Sequence, residues 1–271
     1  MARITPEQVA EWQQAVGREE VAEQVLDAAA LRRFAQAVGL DDDTQDPPLP
    51  HWAWFLPSPL DGEIGDDGHP RRGNFLPDVS LPRRMYAGAS MEFAGDIELG
   101  SEARQTSRVA ELTHKGGRSG DLVFARVEKR LEQDGALKVR EVQTYVYRDE
   151  GERVGMPIPA ETPPKGALWQ PDEVNLFRFS AATANGHRIH YDYPYTTEVE
   201  GYPALIVHGP FTAAKLAALA MRDGALATFS FRAMAPLFLG QPIYLHRTGG
   251  GQFDAIRCDG VTAMSAKATY R

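Results

Sequence analysis

The feature that most narrows the fold of this 271-residue chain is that it is built twice. "LRRFAQAVG" (Leu31–Gly39) and "LFRFSAATA" (Leu176–Ala184) share Leu, Arg, Phe and Ala at a constant offset of 145 residues. In the first copy Leu31, Phe34, Ala35 and Val38 recur at helical spacing, and Gly39 is a helix-stop signal; the second copy stops at Asn185-Gly186. A strand-rich tract follows each helix. "RQTSRVAELTHK", "DLVFARVEKRLEQ" and "LKVREVQTYVYR" alternate in the first half as half-buried antiparallel strands do. "LATFSFRAMAPLFLGQPIYLHRTG", "QFDAIRCDG" and "VTAMSAKATYR" do so in the second, with "RTGGGQFD" read as a hairpin turn. Ile97-x-Leu99-Gly100 and Leu237-x-Leu239-Gly240 repeat a further signature.

Two tandem α+β units are therefore expected, each with one long helix against an antiparallel sheet. The boundaries fall at 1–150 and 173–271, with 151–172 as linker inside the proline-rich stretch "DEGERVGMPIPAETPPKGALWQPDE". Residues 42–82, rich in Pro, Gly and Asp, read as an extended excursion from the first unit. A separate helix near Thr5–Val16 opens on Thr5, with Pro6 and Gln8 as capping signals.

Composition excludes several classes. A net charge of -8 lacks the broad basic field that nucleic acid requires. No apolar run is long enough to cross a bilayer, and the polar, acidic start resembles neither a signal nor a transit peptide, so a cytoplasmic protein is expected. One cysteine, Cys258, rules out an intramolecular disulfide and a cysteine-rich zinc site. Neither a Gly-x-Ser-x-Gly elbow nor a P-loop Lys-Ser/Thr pair occurs, and His-Glu-x-x-His is absent. His187, His190 and Asp192 remain a weak alternative set of zinc ligands, and no metal is expected.

The stretch Asn185-Gly186-His187-Arg188-Ile189-His190-Tyr191-Asp192 concentrates the chemistry. Together with "RRMYAG", "KGGRSGDLVF" and "QTYVYR" in the first half, it resembles the MaoC-like and hydroxyacyl-thioester dehydratase family. That family's motif is Asp-x-Asn-Pro-x-His followed by x-Asp. His190 and Asp192 match it, whereas Asn185 and His187 stand where the family has Asp and Asn. The resemblance covers roughly 20–271 and implies a double hot-dog fold, in which a long helix is wrapped by a sheet in each unit. It further implies reversible hydration of an α,β-unsaturated acyl-CoA thioester.

Chemistry supports that implication. Asn185-Gly186 suits a left-handed helix end, after which the chain presents His190. A neutral histidine takes a proton from water near neutral pH, and Asn185 can hold the water without competing for its proton. His187 and Asp192 are supporting candidates, and His187 is otherwise structural. The family resemblance points to "VHGPF" (207–211) as oxyanion loop, with the Gly209 N–H as donor; the bare sequence reads as a turn before the helix "FTAAKLAALAM". Arg83, Arg84, Lys115 and Arg118 are candidates for the coenzyme A phosphates. Arg188 either meets a second carboxylate on the acyl group, such as mesaconyl or itaconyl, or pairs with an acid of its own chain.

The first half has Gly39-Leu40-Asp41-Asp42-Asp43 after its helix and no histidine before His51. It is expected to lack the water-activating pair and to shape the acyl tunnel through "WAWF" (52–55). A general 3-hydroxyacyl-thioester dehydratase is the second reading, followed by a hot-dog thioesterase and a silent acyl-CoA binder. Coenzyme A enters only with the substrate, no redox cofactor is expected, and both monomer and homodimer stay open.

Overall fold

A computed structural model describes residues 4–40, 46–117, 120–149, 151 and 153–271. The helices are α1 (Pro6–Gln13), α2 (Ala28–Val38), α3 (Glu173–Ala182) and α4 (Gly209–Met221). The strands are β1 (Glu19–Val25), β2 (Arg83–Phe93), β3 (Glu102–Gly117), β4 (Gly120–Gln133), β5 (Ala136–Arg148), β6 (Ala167–Trp169), β7 (Leu226–Ala233), β8 (Ile243–Gly249), β9 (Gln252–Arg257) and β10 (Thr262–Tyr270). All ten form one antiparallel sheet in the order β1-β3-β4-β5-β2-β7-β10-β9-β8-β6.

The two runs of five strands join where β2 pairs with β7, with Gly88 opposite Arg232. Gly88 permits that seam: a Cβ there would sit 2.3 Å from the Phe231 carbonyl oxygen. The repeated aliphatic-x-Leu-Gly signature marks equivalent turns, since Gly100 and Gly240 both take the left-handed conformation (φ 82° and 83°). Thr5 and Gln8 form the expected reciprocal cap of α1 (3.0 and 3.3 Å).

The helices require one correction. The repeat identifies α2 and α3, and these pack on each other through Phe34 and Phe179, with ring centroids 6.2 Å apart. The helix wrapped by the second sheet is instead α4, which touches β7, β8, β9 and β10. It is apolar nearly all round, and Ala213, Ala214, Leu216, Ala217 and Ala220 are fully buried. The first half holds no helix of that length between Gly39 and Arg83 among the described residues. The inner face of its sheet meets a 3₁₀ turn at Pro50–Ala53, where Leu49, Ala53 and Trp54 cluster with Met91, Leu131 and Val139, while α2 packs on that turn and on α3. The linker is not wholly unstructured either, because Ala167–Trp169 extends the sheet by pairing with β8. No described helix is long and apolar enough to cross a membrane.

Beside that 3₁₀ turn the first half buries a polar cluster. Glu141 is 2% exposed and accepts from Trp52 Nε1 (3.2 Å) and the Tyr86 hydroxyl (3.1 Å). His51 Nε2 lies 3.4 Å from its other oxygen. Burial opposes the Glu141 charge, yet His51, Lys129 and Gln143 bring its pKa down to about 2.

Candidate active site

The chain leaves α3 by a tight reversal. The Asn185 N–H donates to the Ser180 carbonyl (2.9 Å), and the residue between them in the left-handed conformation is Ala184, at φ 48°. This is a Schellman-type end, with alanine occupying the place that Asn185-Gly186 was expected to fill. Asn185 is used differently: its Oδ1 accepts the His187 N–H at 3.0 Å. The amide nitrogen of Asn185 has no hydrogen-bond partner among the described residues.

A 3₁₀ turn at Arg188–His190 then carries His190 inward. Ile206 holds the turn, since its N–H donates to the Ile189 carbonyl (3.0 Å) while its own carbonyl accepts from His190 Nδ1 (2.7 Å). A carbonyl can only accept, so Nδ1 carries the proton and Nε2 keeps its lone pair. Burial, helped by His187 and His69 and opposed by the Ile206 bond, pushes the His190 pKa down to about 3. Its resting state at neutral pH is a base with a fixed tautomer.

Three residues around His190 and His187 were not anticipated from the sequence. His208 stacks on His190 with centroids 3.6 Å apart and rings 20° from parallel. Fully buried, His208 is bonded to Ser180 Oγ at 2.8 Å, and burial and His190 hold it well below the usual imidazole value. It is also the N-cap residue of α4, so Gly209, the expected oxyanion donor, begins the helix directly after the ring that stacks on His190. Helix starts leave N–H groups without intrahelical partners.

The other two come from the excursion. His187 lies edge-on to His190 (5.5 Å), and its second face meets the His69 ring at 4.1 Å. His69 Nδ1 is 3.1 Å from Asp67 Oδ2, and Asp67 Oδ1 accepts the His69 N–H at 2.9 Å. Burial works against the Asp67 charge, but these bonds hold its carboxyl well below the usual range. Residues 66–69 are locked to the motif. Arg188 N–H donates to the Asp67 carbonyl (2.9 Å), and a Cβ on Gly68 (φ 86°) would sit 1.9 Å from the Gly186 oxygen. "DDGHP" (66–70) falls inside the stretch 42–82 read only as an excursion; its tight docking on Gly186 depends on long-range packing.

The remaining candidates divide. Arg188 is held by Asp192 Oδ2 (2.7 and 3.0 Å) and the Asp66 carbonyl (3.0 Å), and lies 4.1 Å over the Tyr195 ring. Asp192 spends its other oxygen on the Tyr195 N–H (3.0 Å). The two residues therefore brace the loop, and of the alternatives for Arg188 the geometry has the pairing within its own chain. Arg83 bridges to the Glu200 carbonyl (2.6 Å) and lies over Tyr202. Arg84, half-buried, sits beside Tyr147, and its charge reaches His187. Lys115 is exposed on β3, over Phe124 (5.2 Å), and Arg118 lies outside the described residues, as do Asp41–Asp43.

Donor atoms of Asp67, His69 and His187 lie within 4.8 Å of one another, close enough to share an ion. The two imidazoles face each other, however, tilted by 40°. Their lone pairs lie in the ring planes and run side by side, a poor ligand geometry. The alternative zinc set of His187, His190 and Asp192 is not assembled, because Arg188 and the Tyr195 N–H occupy Asp192.

Comparison with known proteins defines the class first. HtdX from Mycobacterium tuberculosis superposes over 93% of this chain and 99% of its own with a TM-score of 0.68 at 20% identity. A conserved M. tuberculosis protein described as having a double hotdog fold gives a TM-score of 0.56 at 11% identity, over 93% of this chain and 95% of its own. The fold is a double hot-dog. Mesaconyl-C(4)-CoA hydratase of Chloroflexus aurantiacus is 41% identical over 273 aligned positions, 95% of this chain and 97% of that protein. The chain belongs to the hydroxyacyl-thioester dehydratase type 2 family, whose model matches residues 49–239.

Proposed function

We propose that the protein adds water reversibly to an α,β-unsaturated acyl-CoA thioester, and that its acyl group is short and dicarboxylic, as in mesaconyl-C4-CoA or itaconyl-CoA. The observation that carries the reading is His190: buried, uncharged, and fixed with Nε2 free by the Ile206 carbonyl. Nε2 takes a proton from water as the oxygen adds to the β carbon. The same Nε2 then returns that proton to the α carbon, so that the net change is one water added and His190 is neutral again. The Asn185 amide donates to that water and leaves the water's protons to His190. The Gly209 N–H stabilises the enolate oxygen, where one such donor is worth about 3 kcal/mol. Lys115, with Arg118, receives the coenzyme A phosphates, and Arg84 belongs to the acyl end, where its charge reaches His187. Arg83, Arg188 and Asp192 hold the loops in place. The cycle is written without metal or redox cofactor, and a cytoplasmic location is part of the proposal.

The substrate choice is supported by the 41% identity to a mesaconyl-C4-CoA hydratase. The family description favours a second reading, a general 3-hydroxyacyl-thioester dehydratase. A panel of mesaconyl-C4-CoA, itaconyl-CoA and crotonyl-CoA decides, with loss of the conjugated thioester absorbance and release of free CoA followed together. Hydration of the dicarboxylic thioesters at the highest kcat/KM is the expected result. Preference for crotonyl-CoA selects the general dehydratase, and CoA release without hydration removes both.

A further inference from the structure

We propose that His69, held by Asp67, forms with His187 the subsite for a carboxylate carried on the β carbon of the substrate, so that the first half of the chain sets which acyl group the second half hydrates. This rests on the hydratase reading. When a methylfumaryl group is joined to coenzyme A through C4, its free carboxylate and the incoming hydroxyl share one carbon. Whatever binds that carboxylate must therefore lie next to the water held by His190. Arg188 is unsuited, because its guanidinium is bound to Asp192 and the Asp66 carbonyl.

His187 lies edge-on to His190, and the His69 ring lies against His187. The ring nitrogens of His187 have no hydrogen-bond partner among the described residues; only its backbone N–H is bonded, to Asn185. His69 gives its Nδ1–H to Asp67, which leaves Nε2 as the free nitrogen. Both oxygens of Asp67 already accept from His69, and the Asp67 charge favours a proton on His187. The other groups facing His187 are Arg84 and His208, each of which opposes a proton on it, as does His69. Burial and these neighbours hold His187 down to about 3. An anion placed beside His187 would be drawn by the Arg84 charge and would favour a proton on the His187 ring. The Gly68–Gly186 contact and the Arg188–Asp67 bond fix this corner to the motif by backbone alone, so its position survives changes at the His69 side chain.

The test is a ratio. For wild type and His69→Phe, kcat/KM is measured for mesaconyl-C4-CoA and for crotonyl-CoA, which lacks the carboxylate. Phenylalanine keeps a ring against His187 and removes the nitrogens. The dicarboxylic-to-crotonyl ratio should fall about 10- to 100-fold, the loss of a hydrogen bond to a charged group. His69→Gln, which fits the same turn, should lower it in the same direction and guards against misfolding of the first variant. An equal loss on both substrates, or an unchanged ratio in both variants, overturns the subsite and leaves the hydratase reading standing. Absence of hydration of either thioester by the wild type sinks the reading and the subsite together.

Discussion

His51 and His190 are each 7% exposed, one in either half, and their surroundings are opposite in kind. His51 faces an ionised, buried Glu141 that Trp52 and Tyr86 also bind. His190 faces neutral rings and a carbonyl, with no carboxylate in contact. The first arrangement fixes charge, which braces the 3₁₀ turn against β5 where no long helix is present. The second keeps an imidazole free of charge, so its lone pair is available. Duplicated units can thus diverge into a brace and a reaction centre while sharing one sheet. The division is incomplete, because Asp67 and His69 cross from the first half to complete the surroundings of the centre.

The comparison predicts different acid sensitivities. His187, His190 and His208 are all depressed in the folded state. Each is protonated on unfolding below about pH 6.5 but not in the folded protein, so each contributes stability that is present above that pH and lost as pH falls. Together they should remove about 4 kcal/mol per pH unit between roughly pH 6 and 4, read as a falling denaturant midpoint. His190→Phe should flatten that slope by about one proton. Glu141 acts lower, losing its contribution as pH drops from about 4.5 through 2. Glu141→Ala should destabilise by about 3 kcal/mol, since it strands the buried groups around it, while turnover per folded molecule stays within tenfold. A large turnover defect with normal stability would move the brace into the reaction centre.

Gly68→Ala probes the crossing between the halves. Its Cβ meets backbone, which cannot swing aside, so the loop should shift and kcat should fall about 100-fold on every thioester. Activity near wild type would show that the docking is dispensable. Ala184→Gly is the smallest expected effect. Relieving a left-handed alanine should stabilise by about 1 kcal/mol, raising Tm by about 2 °C without altering kcat.

The tandem fold was legible because its strands alternate and its helix sequence recurs, so α2 and α3 were found together with β3, β4, β5 and β7–β10. The wrapped helix was harder to assign, since α4 is apolar on all sides and carries no amphipathic repeat. β1 was missed because six of its seven residues are exposed on a sheet edge. In the site, Asn185, His187, His190 and Gly209 were visible from one short motif and one loop; the structure puts Asn185 on the His187 N–H, His187 beside His190, and Gly209 after the stacked His208. His208 adjoined a named residue, yet its stacking depends on how α4 meets α3. Asp67 and His69 sit over 100 residues before His187, and only folding brings them to it.

The central claim, that the second half alone carries the base, is tested most directly by measuring hydration of mesaconyl-C4-CoA at pH 7 for His190→Gln and His51→Gln side by side, with Tm recorded for both. His190→Gln should lower kcat about 1000-fold at nearly unchanged Tm, and His51→Gln should lower Tm while leaving kcat within tenfold. Retained turnover in His190→Gln, or its loss in a stable His51→Gln, would contradict it.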